Sequence, residues 1–354
     1  MNNVYIAETI PIFPQSYSAK HIANQIYPEK TYGKKINRIA NSYARKIGIK
    51  KRSCVINLNC LPKIKLKDEQ NHPLEWGTKI VNQLTQHIDK TEIGCFCLNY
   101  NLSIHSDTLP NLASQIVMKS GLKQIEKNSE LAYYGCASAI YSLDEAVKYC
   151  REHDRAAIVF TFEHCHAGIH QLQKDDPNFR KMFSTNSIFS DLGFGLLIIP
   201  ERLRYKYLKP LLKILDINKK YIPGDLIGMK NGRFLMSSNL KHIIPNIVSN
   251  DLIKPFLNKH ALQVNDIKQW SIHQGGSEII KQFCLPNCLN LSAQQIKRSL
   301  DLFYQYGNGS STSCLLVLNS FINDGITKEK LDEKGLVVAF GAGYYLGVVL
   351  YEWG

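Results

Sequence analysis

Three segments of the 354-residue chain carry side chains that could do chemistry together: a thiol able to act as nucleophile, an imidazole able to move a proton or donate a hydrogen bond, and a carboxamide donor. Cys136 lies in LAYYGCASAIYSL, where an apolar approach gives way to small residues and then to an amphipathic stretch. That order puts the thiol at a helix N-terminus, where the helix dipole and free backbone N–H groups favour a thiolate. His273 lies in QWSIHQGGSEII, between an apolar-aromatic strand and Gly275 and Gly276, which let the backbone pass close to a ligand. Asn308 lies in YQYGNGSSTSCLLVL, a Gly/Ser-rich turn before an apolar run. Taken singly, each has an ordinary explanation: a buried cysteine, a satisfied core histidine, a turn asparagine. A fourth segment, FEHCHAGIH, gathers Glu163, His164, Cys165, His166 and His170. On a strand His164 and His166 would share a side, but no distant ligand pair accompanies them, so the expectation is a structural cluster without metal. The pairs Cys95/Cys97 and Cys284/Cys288 are read the same way.

The elements that must hold these residues follow from periodicity. Apolar runs rich in β-branched residues predict strands at 53–60, 93–101, 156–163, 193–200 and 313–321. Residues 137–153 have helical spacing, with Ala139, Leu143, Ala146, Val147 and Cys150 on one face. Strands alternating with helices predict a layered α/β fold. A strand pair closes each half of the chain, at 156–163 with 193–200 and at 313–321 with the C-terminal run. The pattern predicts an internal duplication, 1–205 and 206–354, joined through the basic stretch 201–220 and the turn YIPGD. The last twenty residues, GLVVAFGAGYYLGVVLYEWG, are apolar enough to raise a tail anchor, but their glycines and β-branched residues favour two paired core strands.

Composition bounds the rest. Hydrophobic residues at 44% and charged residues at 21% belong to a globular protein and exclude a disordered or fibrous one. Ten scattered cysteines fit reduced thiols, and the N-terminus has no secretory pattern, so a cytoplasmic location is expected. The formal charge of +13 points to an acidic partner or anionic substrate. Ten Lys or Arg residues between Lys20 and Arg52 face a single acid, Glu29, and 201–220 is a second basic run. No RNP-like strand, zinc finger or helix-turn-helix pattern accompanies them, so nucleic acid is not expected. The bland reading of each patch is a solvated basic face.

Together the motifs resemble the decarboxylating condensing enzymes of the thiolase superfamily, in the branch of ketoacyl-acyl-carrier-protein synthase III and the chalcone-synthase-like type III polyketide synthases. ARKIGIKKR (44–52) resembles the arginine-ended motif after the first helix, and SDTLPNLASQIVMKSGL (106–122) the segment before the nucleophile. IFSDLGFGLLII (188–199) resembles the F-G-D-G-A strand, GNGSSTS (307–313) the asparagine motif, and FGAGYYLGVVLY (340–351) the closing glycine hairpin. IHQGG (272–276) begins like the H-Q-A-N motif of one branch and ends like the H-P-G-G motif of the other. Leu192 and Phe194 replace small positions of the F-G-D-G-A strand, and Gln274 replaces a proline, which bears on pocket shape.

The resemblance implies a five-layer α/β/α/β/α thiolase-like fold, a homodimer whose contact the Glu163 region borders, and a pantetheine tunnel. It implies Cys136 as nucleophile, with His273 and Asn308 stabilising the enolate of a decarboxylating malonyl thioester. Substrates would be acyl-CoA and malonyl-CoA, or malonyl-acyl-carrier protein, with no permanently bound cofactor, no metal, no nucleic acid and no membrane. Arg38, Arg45 and Arg52, or the 201–220 run, are candidates for the CoA or carrier phosphate. The activity would serve fatty-acid initiation or specialised polyketide synthesis. Alternatives are an acyltransferase or thioesterase on the same fold, which needs no decarboxylating pair, and a non-catalytic partner subunit, which would usually lack the cysteine.

Overall fold

The run AAIVFTFE alternates between two cores, as a strand of period two must. Ala156, Ile158, Phe160 and Phe162 join an outer core, while Ala157 and Val159 join an inner one. The computed structural model describes residues 2–104, 109–169, 174–176, 178–230, 233–237, 239–325 and 331–354. His170 and residues 106–108 of the pre-nucleophile segment lie outside the described residues.

The main elements are β1 (Val4–Ile12), α1 (Glu29–Ile47), β2 (Ile93–Tyr100), β3 (Lys127–Ala132), α2 (Ser138–His153), β4 (Ala156–Glu163), α3 (Phe179–Ile188) and β5 (Leu192–Pro200). They continue with β6 (Leu212–Tyr221), β7 (Ile267–Ile272), α4 (Ala293–Tyr306), α5 (Ser313–Asp324), β8 (Lys334–Phe340) and β9 (Tyr345–Trp353). Nine strands form one sheet in the order β7-β8-β9-β6-β1-β5-β4-β2-β3.

The sheet repeats itself. β2 and β4 are parallel, β5 runs antiparallel to β4, and β1 antiparallel to β5. In the same relation β7 and β8 are parallel, β9 runs antiparallel to β8, and β6 antiparallel to β9. The two sets meet where β1 pairs with β6 at Tyr5–Lys213 and Ile6–Leu212. Helices α2 and α5 share one buried core with strand residues of both sets, including Val159 and Ile198 from one and Val337 and Val349 from the other. Separate outer cores cover the opposite strand faces. This is the mixed α/β, five-layer thiolase fold.

Three expected elements differ. The run 313–321 is not a strand but the start of α5, because its residues from Ser313 to Asn319 are all buried in the middle layer. A helix apolar on every side looks like a buried strand in sequence. The run 53–60 stops as a strand at Ser53 and ends in a 3-10 turn, Leu58–Cys60. Asp191 captures its polar groups instead: Val55 N–H donates to Oδ2 (2.8 Å), and Ser53 Oγ donates to the Asp191 carbonyl (2.6 Å). The stretch 201–220 is only partly a connection, since Leu212–Tyr221 is β6, at the join of the two sets. Its lysines left the strand hidden. The C-terminal run does form two core strands, β8 and β9, and among the described residues no helix is long and apolar enough to cross a membrane.

Candidate active site

Cys136 sits in the 3-10 turn Gly135–Ala137 that opens α2, and it is almost fully buried. Gly135 has φ +60°, and a Cβ there would lie 2.5 Å from the Ala342 nitrogen. A Cβ on Gly341 would lie 2.3 Å from the Cys136 nitrogen. These two glycines allow the β8–β9 turn to lie against the nucleophile turn. Cys136 Sγ is 3.4 Å from Ser310 Oγ. Burial pushes the thiol up to about 12, the Ser310 hydrogen bond opposes this, and Glu163 adds to it. Burial therefore favours the neutral thiol in the unloaded protein.

His273 follows β7 and extends its ladder, donating its backbone N–H to the Val338 carbonyl (2.9 Å). Its ring meets Phe340 edge to face at 5.1 Å, and among the described residues Nδ1 has no hydrogen-bond partner. Burial lowers the imidazole to about 3, so the ring is neutral. Asn308 follows the end of α4 at Gly307, which has φ +78°. Its backbone N–H donates to the Ile188 carbonyl (2.8 Å), and its own carbonyl accepts from Ser190 N–H (2.8 Å). Asn308 Oδ1 accepts from Ser310 N–H (2.7 Å) and Ser313 Oγ (3.2 Å). Two donors fix the amide orientation and leave its NH2 end for a ligand.

Cys136, His273 and Asn308 converge on one small pocket of about 20 Å³, with Phe189, Phe340 and Gly341. Two larger spaces adjoin it. A cavity of about 330 Å³ shares Cys136 and Phe189 with it and also meets Arg52, Glu163, His166 and Ser310. A groove of about 820 Å³ shares Gly275 and Ile279 and has Lys46, Arg180, Lys181 and Lys241 along it, all exposed.

Glu163, read from the sequence as part of a structural cluster, lines the cavity beside Cys136. Fully buried at the end of β4, its carboxylate accepts from Ser311 Oγ (2.5 Å), Asn101 Nδ2 (2.6 Å) and Asn101 N–H (3.2 Å). Burial raises it to about 7 against those hydrogen bonds. Its neighbours separate as the strand ends. His164 packs edge-on against Trp76 (5.2 Å), whereas His166 Nδ1 lies 2.9 Å from Asp191 Oδ1. Cys54, His166 and Asp191 bring potential ligand atoms within 4.8 Å of one another, a convergence of three distant segments that spacing could not show. Asp191 is already committed to the N–H groups of Val55 and His166, and it acts as a buttress under β5.

The phosphate candidates part company. Arg38 and Arg45 are exposed on α1, but Arg52 turns inward to the cavity wall. In 201–220 the cations are largely paired, Arg202 with Glu92 and Asp154, Lys209 with Glu8, and Lys219 with Asp144.

Comparison with known proteins shows what this geometry is similar to. The profile of the chalcone and stilbene synthase C-terminal domain matches residues 214–352. A Bacillus subtilis protein named for chalcone synthase is 24% identical over 253 residues, 69% of this chain and 67% of that protein. The α-pyrone-synthesis polyketide synthase-like protein Pks18 of Mycobacterium tuberculosis is 27% identical over 254 residues, 69% of this chain and 61% of its own length. The chain is similar in sequence to type III polyketide synthases, most clearly in its C-terminal part. The fold of a type III polyketide synthase extends over the whole chain. A type III pentaketide synthase from Neurospora crassa superposes with a TM-score of 0.79 at 16% identity, covering 99% of both chains. The tetrahydroxynaphthalene synthase of Streptomyces coelicolor gives 0.73 at 16% identity, again over 99% of both.

Proposed function

We propose that this type III polyketide synthase-fold protein loads an acyl group from CoA onto Cys136 and extends it with malonyl-CoA in polyketide biosynthesis. The observation carrying this reading is the convergence of Cys136, His273 and Asn308 on one pocket beside a cavity of about 330 Å³. Neutral His273 is available to take the thiol proton; sulfur attacks the starter carbonyl, and CoA thiol leaves. In the second step the malonyl carbon–carboxylate bond breaks and CO2 departs with its electron pair left on the enolate. Donors at His273 and the Asn308 amide hold the thioester oxygen where charge builds. The enolate carbon attacks the acyl carbonyl and expels Cys136 sulfur, so the chain is transferred two carbons longer. The cations of the 820 Å³ groove suit CoA phosphates.

We assign the nucleophile to a first half, 1–205, and His273 and Asn308 to a second, 206–354, in a homodimer. Ten free cysteines favour a reducing, cytoplasmic setting. Extender delivery by an acyl-carrier protein is a secondary reading that rests on exposed Arg38 and Arg45 of α1. Intact-protein mass spectrometry tests the activity: an acyl adduct forms with wild type, not with Cys136→Ala, and malonyl-CoA clears it with CO2 release. An adduct cleared by water or an amine at the same rate without malonyl-CoA would replace condensation with simple acyl transfer. Absence of any adduct would mark a non-catalytic subunit.

A further inference from the structure

Arg52 is among the largest fully buried side chains of the protein, and it lines the same cavity as Cys136. A guanidinium has five N–H donors. Arg52 Nη1 donates to the Asn186 carbonyl (2.7 Å), Nε has no partner, and among the described residues no carboxylate lies within ion-pair distance. Asp191, the carboxylate whose charge reaches Arg52, already has its oxygens taken by His166 and by backbone N–H groups. Arg52 thus brings an unpartnered donor, Nε, to the residues that line the cavity with Cys136. A buried cation with spare donors is costly unless an anion reaches it.

We propose that Arg52 is the specificity-determining end of this cavity and receives a carboxylate at the far end of the acyl chain, so that the preferred starters are ω-carboxyacyl thioesters. The inference rests on Cys136 loading as proposed above. A carboxylate matches the guanidinium fork with two parallel hydrogen bonds, and inside the cavity that pair is shielded from water. A plain alkyl chain leaves the cation as it was and gains only apolar contact, for which Phe189, Ile169 and Leu102 line other parts of the wall.

The test is competitive loading read by intact mass, with succinyl-, glutaryl- and adipyl-CoA each set against the straight-chain acyl-CoA of equal length. A charge-assisted hydrogen bond of about 1.5–3 kcal/mol predicts a preference of roughly 10- to 100-fold for the carboxylate partner at the length that reaches Arg52. In Arg52→Met that ratio falls to about one, read within one sample so that general rate loss does not enter. Wild type loading the plain chain equally well at every length overturns the proposal, and this arm needs no folded variant. So does an Arg52→Met ratio that stays at the wild-type value. Failure of every thioester to load would instead sink the Cys136 reaction, and this inference with it.

Discussion

Cys136 and His273 form a neutral pair in the unloaded site, since burial raises the thiol and lowers the imidazole. Losing one donor aimed at a developing oxyanion typically costs about 100- to 1000-fold in rate. His273→Ala and Asn308→Ala are therefore expected to lower malonyl decarboxylation by that factor in a CO2-release assay; a loss under tenfold in either would remove it from the donor pair. Glu163 has a stability consequence. Its folded value of about 7 exceeds the ordinary 4.5, so between those pH values the folded state holds a proton that the unfolded chain has released. That stabilisation is complete below the unfolded value and is lost as pH rises through about 7, by at most on the order of 3 kcal/mol. His273 works oppositely: its depressed value makes stability fall as pH drops from 6.5 towards 3. Thermal melts of wild type and Glu163→Gln from pH 5 to 8 separate the two, because only wild type should weaken at the upper end relative to the variant. Parallel curves would show that Glu163 stays ionised.

At the scale of elements, the site depends on two turns lying backbone to backbone. Gly341 has no room for a Cβ, which would sit 2.3 Å from the Cys136 nitrogen. Gly341→Ala is expected to push the β8–β9 turn away from the start of α2 and to slow acyl loading at least ~10-fold, about 1.4 kcal/mol of barrier. Circular dichroism should remain that of the folded protein, and wild-type loading kinetics in the variant would disprove the contact.

For the molecule as a whole, the two halves are joined through polar groups as well as through α2 and α5. Ser311 Oγ contacts Glu163 Oε1 (2.5 Å) and Thr161 Oγ1 (2.8 Å), and Thr161 in turn accepts from Asn99 Nδ2 (2.7 Å). Ser311→Ala strips a buried carboxylate of a donor and should cost about 1–3 kcal/mol in denaturant unfolding, with reduced loading. An unchanged midpoint would show that the bridge contributes nothing. Separate expression of 1–205 and 206–354 is expected to give aggregating products, because each exposes the inner face of the shared core. A cooperative melt from either half alone would contradict a single shared core.

Residue types and local periodicity suffice for what is local: the strands at 93–100 and 156–163, the helix 138–153 and the terminal hairpin, whereas Cys136, His273 and Asn308 stood out only through the resemblance of their motifs taken together. Period two and period 3.6 leave their marks within a few residues, so those elements need no distant information. Tertiary structure decided whatever depended on a second surface. The apolar run 313–321 is a helix because both halves cover it, and lysine-rich 212–221 is a strand because β1 and β9 flank it. Arg52, grouped by sequence with its exposed basic neighbours, faces the cavity instead, and Cys54 and Asp191 reach His166 only in the fold. Protonation states were likewise beyond the sequence: burial, which no short motif encodes, raises both Cys136 and Glu163.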